Sequence, residues 1–241
     1  MDENCCYNTE GKVAILIDGG YFLKRLRALK KNEQEFNVSY VLKMLKILCS
    51  EHAKKLNQNI YRVFYYDCPP ISDGIHNVMT NKFVKFKDSQ QYVFKNNLFE
   101  ELKRTRKMAL RLGVLSRDKN NPWIVSPSKM TKLLKGEIQI SDLDPQEDLV
   151  LNIRQKQVDL KIGIDIATMT LKKQVSTIVL VAGDGDFVPA AKMARREGID
   201  FILDPMWGHI QQDLNEHVDG VYSSLFRPSV RKDKKRMADE L

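Results

Sequence analysis

Two aspartates in this chain stand at the close of unbroken apolar runs: Asp18 after Val13-Ala14-Ile15-Leu16-Ile17, and Asp184 after Thr177-Ile178-Val179-Leu180-Val181-Ala182 and Gly183. Short continuous apolar runs ended by turn residues read as strands buried on both faces of a parallel sheet. Such sheets gather their chemistry at the carboxyl ends of the strands, so if the two strands are neighbours their carboxylates face one crevice. Asp186 lies two residues beyond Asp184, at a predicted helix start. Asp159, in Gln155-Lys156-Gln157-Val158-Asp159, supplies a third source of carboxylate, and Asp165 follows six residues later. Six residues are roughly 240° of helical rotation, so the two cannot both point into one small site. Asp159 is therefore the expected ligand and Asp165 a supporting residue behind it.

Carboxylates crowded into one cleft raise each other's pKa unless a cation neutralises them. Asp18, Asp159, Asp184 and Asp186 thus imply a metal site, and an all-oxygen set without His or Cys suits Mg²⁺ or Mn²⁺ better than zinc. Such ions support phosphodiester hydrolysis by activating water and stabilising the leaving oxygen. An aspartate after a strand also commonly caps the next helix, but capping alone does not explain acids at the ends of two separate buried strands. Gly183-Asp184-Gly185-Asp186-Phe187-Val188 lacks the third glycine of a dinucleotide loop, and its acids would repel a pyrophosphate. An EF-hand loop begun at Asp184 would need Glu at its twelfth position, where Arg195 stands.

The elements needed to hold these groups follow an alternating pattern. After the strand at Val13, Phe22, Leu26 and Leu29 recur among basic residues as an amphipathic helix over 21–31. A helix over 38–56 and a strand over 60–66 come next. Residues 81–112 carry Phe83, Phe86, Tyr92, Phe94 and Phe99 among lysines, and the second half of that stretch reads as helical. The pattern loosens over 113–148, which is taken as an irregular insertion rich in Glu137, Asp142, Asp144, Glu147 and Asp148. A helix over 149–173, a strand over 177–182, a helix over 187–197 closed by Gly198, and a strand over 199–203 complete the alternation, which implies an α/β fold with a doubly wound parallel sheet. Residues 1–11 are expected to be a flexible N-terminus, 12–226 one folded domain, and 227–241 a basic tail with six basic residues and one acid between Arg227 and Arg236.

The chain has 241 residues, 43% of them hydrophobic, 29% charged, with a net charge of +8. This composition excludes extended disorder, and no apolar run approaches the length of a membrane span. The start MDENCCYNTE lacks the layout of a secretory signal, so a soluble cytoplasmic protein is expected, without a membrane partner. Cys5, Cys6, Cys49 and Cys68 show no paired spacing for a disulfide framework or zinc site. The basic surplus favours a polyanion. Lys103, Arg104, Arg106, Lys107 and Arg111, with Arg231, Lys232, Lys234, Lys235 and Arg236 in the tail, are the candidate phosphate contacts. Phe83, Phe86, Tyr92 and Phe94 could stack on bases, although their spacing also suits a buried face.

The segments Val13–Tyr21, Gln155–Asp159 with Asp165, and Val179–Pro189 occur in the order of the NYN domain and resemble its bacterial LabA-like branch. Together with Arg196-Glu197-Gly198 the resemblance spans roughly 12–222, with 70–148 much less specific. Gln157 stands where that family usually has glycine, and Gly20 where asparagine is frequent. The resemblance implies a PIN-like three-layer α/β fold, a mainly parallel sheet flanked by helices. It also implies metal binding at Asp18, Asp159, Asp184 and Asp186 and endoribonuclease activity on RNA, and leaves self-association open. The alternatives are a non-catalytic RNA-binding or regulatory module and a haloacid-dehalogenase-type phosphatase. The phosphatase would need an aspartate where Gly20 stands.

Overall fold

The computed structural model describes residues 11–30 and 35–226; the predicted N-terminus before Gly11 and the basic tail beyond Phe226 lie outside the described residues. The chain begins with β1 (Lys12–Asp18), α1 (Gly19–Leu29) and α2 (Val38–Leu56). It continues through β2 (Asn59–Asp67), the short β3 (Gly74–His76) and β4 (Phe83–Lys85), α3 (Gln90–Arg104) and β5 (Met108–Leu112). Next come β6 (Val114–Arg117), β7 (Trp123–Val125), α4 (Pro127–Leu134), β8 (Leu149–Leu151) and β9 (Ile153–Lys156). The last third holds α5 (Val158–Leu171), β10 (Thr177–Val181), α6 (Val188–Arg196), β11 (Asp200–Leu203), α7 (Gln212–Glu216) and β12 (Gly220–Val221).

Six strands form one sheet in the order β12-β11-β10-β1-β2-β5, every pair parallel. The apolar run of β1 is continuous because both sheet faces are covered. Val13, Ile15 and Ile17 pack with Phe22 and Leu26 of α1, Leu45 and Leu48 of α2 and Leu98 of α3. Ala14 and Leu16 pack on the other face with Ile162 and Ile166 of α5 and Ala191 of α6. Helices therefore flank a parallel sheet in three layers, as the α/β reading expected. The five residues from Val13 to Ile17 have no exposed surface, and burying each large aliphatic side chain contributes about 1.5–3 kcal/mol. Gly19 lets α1 lie close to β2, since a β-carbon there would stand 2.5 Å from the Tyr65 ring.

The structure corrects three expectations. The helix expected through residue 112 ends at Arg104; Lys107 adopts a φ of 63°, and the chain then adds β5 to the sheet edge. The helix expected from residue 149 begins at Val158, because 149–151 and 153–156 pair as strands with β7 and β6. The region 113–148 is likewise less irregular than read: it holds β6, β7 and α4, and its ribbons extend to Lys156. Gln157, at the junction of β9 and α5, has a φ of 71°, a backbone region where glycine carries no steric penalty. That is the conformational reason for the glycine that the resemblance leads one to expect at this position. Among the described residues no helix is long and apolar enough to cross a membrane.

Candidate functional site

The register of β1 decides which acids meet. Ile17 lies beside Val181 of β10 and Asp18 beside Tyr66 of β2. The carboxyl end of β1 therefore sits between the turn carrying Asp184 and Asp186 and the strand end carrying Asp67. Asp159 comes from the opposite layer, in the first turn of α5. Asp18 Oδ1 accepts a hydrogen bond from Tyr21 N at 3.0 Å and caps α1. Asp184 Oδ1 likewise accepts from Asp186 N at 3.3 Å. Capping is thus real at both positions.

Electrostatics tie these acids together. Burial pushes the Asp18 carboxyl up to about 6, with the charges of Asp159 and Asp67 adding to the rise against the backbone N–H groups of Tyr21 and Gly20. Asp159 is raised as well, first by burial and then by Asp184 and Asp186. Asp159 and Asp186 also line one groove of about 370 Å³ with Leu160, Ile164, Phe187 and Pro189.

Asp67 is the acid that the sequence reading missed. It ends β2 as Asp18 ends β1, so the same strand-end rule would have found it. Its carboxylate is fully buried, with Oδ1 accepting from Lys95 Nζ at 2.6 Å and from Cys68 N at 2.7 Å. Its Oδ2 is buried and has no hydrogen-bond partner among the described residues. An orphaned carboxylate oxygen is a destabilising feature that a cation would relieve.

Among the described residues no three His, Cys, Asp or Glu side chains already converge as a metal centre. The acids share one field without meeting at a point. Their oxygen-only donors, the mutual repulsion on Asp18 and Asp159, and the orphaned Asp67 Oδ2 suit a hard divalent cation.

The other predicted residues fall elsewhere. Asp165 Oδ2 accepts from the Tyr66 hydroxyl at 2.8 Å and from Arg111 Nε at 3.2 Å, so it ties α5 to β2 and β5. Arg111 also lies over the Phe64 ring, at 5.5 Å. Lys103 and Arg104 pair with Glu100 and Glu101 on their own helix at 2.7 and 3.4 Å. Arg106 and Lys107 occupy the turn into β5, with Lys107 Nζ donating to Ile60 O. Since β5 runs parallel to β2, that turn is at the opposite end of the sheet from the aspartates. Arg231, Lys232, Lys234, Lys235 and Arg236 lie outside the described residues. Phe94 packs on Phe36 at 5.7 Å, a structural role.

Comparison with known proteins adds two findings. The family model described as the NYN domain matches residues 12–225. Among solved structures, one similar chain is a protein of unknown function from Vibrio parahaemolyticus; the match covers 90% of this chain and 94% of that one at 14% identity, with a TM-score of 0.46. No curated protein matches.

Proposed function

Because the chain belongs to the NYN domain family, a nuclease-like, RNA-related group with a PIN-like fold, we propose that it is a metal-dependent endoribonuclease that hydrolyses RNA phosphodiester bonds. The observation that carries this reading is that acids from four elements share one field about the carboxyl ends of adjacent parallel strands, with Asp18 and Asp159 raised first by burial and then by neighbouring acids.

Asp18, Asp159, Asp184 and Asp186 would hold Mg²⁺ or Mn²⁺, and Asp67 joins them as a buried anion fixed by Lys95. When bound, such an ion lowers the pKa of water and offsets charge on the phosphate. Water oxygen adds to phosphorus and gives up a proton, one P–O ester bond breaks, and the departing oxygen takes up a proton, leaving one phosphate monoester and one hydroxyl; no side-chain nucleophile takes part. The protein's own contribution is placement. The helix cap fixes Asp18 Oδ1, the turn after β10 sets Asp184 relative to Asp186, and the first turn of α5 brings Asp159 across from the other layer.

The lack of a ready three-residue cluster among the described residues favours one other reading, an RNA-binding module without catalysis. One experiment separates them: cleavage of labelled single-stranded and structured RNA with Mg²⁺, with Mn²⁺ and with chelator, comparing wild type and Asp184→Asn. Cutting that needs metal and falls at least a hundredfold in the variant is expected. RNA that is bound but never cut with either metal supports the binding module instead.

A further inference from the structure

On the β2 side of the carboxylates, the parallel sheet meets the short antiparallel ribbons formed by β6 with β9 and β7 with β8. A pocket of about 140 Å³ opens there, with room for one heteroaromatic ring system. Its aromatic walls are Phe86 and Tyr92, both half-buried, and Leu115 adds an apolar surface. The Tyr92 ring takes part in no ring stack and its hydroxyl in no hydrogen bond among the described residues. Gln91, at the start of α3, and Gln155, on β9, bring two primary amides to the same pocket. Neither amide has a hydrogen-bond partner among the described residues.

Two of these residues join the pocket to the carboxylates. Lys95 lines it while donating to Asp67 Oδ1. A β-carbon added at Gly20 would stand 3.4 Å from Asp18 Oδ1 and 3.7 Å from Gln155 Nε2, so Gly20 separates the Gln155 amide from Asp18. A group seated in the pocket is therefore close to whatever the carboxylates act on.

We infer that this pocket holds a single unstacked nucleobase of the RNA, with Tyr92 and Phe86 contacting its faces and Gln91 and Gln155 reading its edge. The inference rests on the proposed action on RNA. Aromatic rings take any base by stacking, whereas an amide offering one donor group and one acceptor distinguishes bases by their edge pattern. A base in a duplex cannot enter a pocket of this size, so the pocket selects single-stranded RNA and a base identity next to the phosphate held by the acids. Lys95 adds a cation at the pocket wall, and its bond to Asp67 keeps it in place.

The test is equilibrium binding of fluorescent five-nucleotide A, C, G and U homopolymers to the whole chain, with Ca²⁺ in place of Mg²⁺ so that turnover is not required. One base is expected to bind about tenfold more tightly than the weakest. That preference should collapse in Gln155→Ala and Gln91→Ala. Tyr92→Leu should weaken all four oligomers by about fivefold or more, since stacking is lost whatever the base. Unchanged melting temperatures identify the variants that fold normally, and Gln155→Glu provides a second variant of the same shape. Equal affinity for the four homopolymers, no binding at all, or a preference untouched by the glutamine substitutions overturns the inference. If the wild type never cuts RNA yet shows a base preference that Gln155→Ala removes, the pocket stands while the nuclease reading falls.

Discussion

The two flanks of the carboxylate cluster are built on opposite principles. Beside β2, Asp67 is fully buried and held by Lys95, whose side chain is only 14% exposed. Beside β10, Asp184 and Asp186 are exposed on a turn, their geometry set by one hydrogen bond within it. A buried carboxylate needs a resident countercharge or a proton, whereas an exposed one stays solvated and can wait for an ion. Asp67 therefore belongs to the stability of the protein as much as to its chemistry, while Asp184 and Asp186 are nearly free of structural duty. Asp18 lies between them, part-buried and capping a helix, and its raised pKa records the compromise.

The sharpest way to break this contrast is Asp67→Ala. It strands the Lys95 ammonium and the Cys68 N–H, and a loss of about 3 kcal/mol of unfolding free energy is expected. Denaturant titration measures it, and replacing the pair by Asp67→Leu with Lys95→Met should recover part of the loss. A value for Asp67→Ala within about 1 kcal/mol of wild type would show that the pair is not structural.

A smaller effect concerns Asp18. Its folded pKa of about 6 exceeds the ordinary 3.8. Below the lower value it is protonated in both states. Between the two values the unfolded chain ionises while the folded one keeps its proton, so stability falls as pH rises, by roughly 1–3 kcal/mol. Thermal melts in chelator from pH 4 to 6.5 should show this slope, and Asp18→Asn should flatten it. A divalent ion favours the ionised form and should recover stability above pH 6.

Next in size is Gln157→Gly, which relieves a φ of 71° at the start of α5. A gain of up to about 1 kcal/mol is expected, partly offset by the freer unfolded chain. Smallest is Asp184→Asn, expected to change stability by less than about 0.5 kcal/mol, while isothermal titration records loss of Mn²⁺ binding. A large destabilisation there would erase the difference between the flanks.

How much could be read from the sequence follows the same division. β1 and β10 were legible because a strand covered on both faces leaves an unbroken apolar run, and α2 because its apolar residues recur at helical spacing. Asp18 and Asp184 were found by their place at strand ends. Asp67 obeys the same rule, but the run before it, Ile60 to Tyr66, is broken by Arg62 and tyrosines and so lacks the unbroken apolar character of β1 and β10. Its partner Lys95 was not legible, being 28 residues away and brought close by packing alone. Nor was the start of α5, since residues 149–156 carry apolar side chains at spacings that serve strand or helix, and the deciding event is one left-handed residue. The pairing of Arg111 with Asp165, 54 positions apart, likewise depends on α5 crossing β2.

The parallel pairing of β1 with β10 sets the timing of assembly. Lys12 and Ser176, at the ends of this contact, are 164 positions apart, and such distant pairings close late because the loop entropy must be overcome first. On a ribosome adding about 5–20 residues per second, β1 waits on the order of ten to thirty seconds for its neighbour. Until then one edge of a strand with apolar side chains on both faces is unpaired, and the chain is most exposed to aggregation. No fragment ending before β10 can bring Asp184 and Asp186 to the end of β1, so an incomplete chain lacks half of the proposed site.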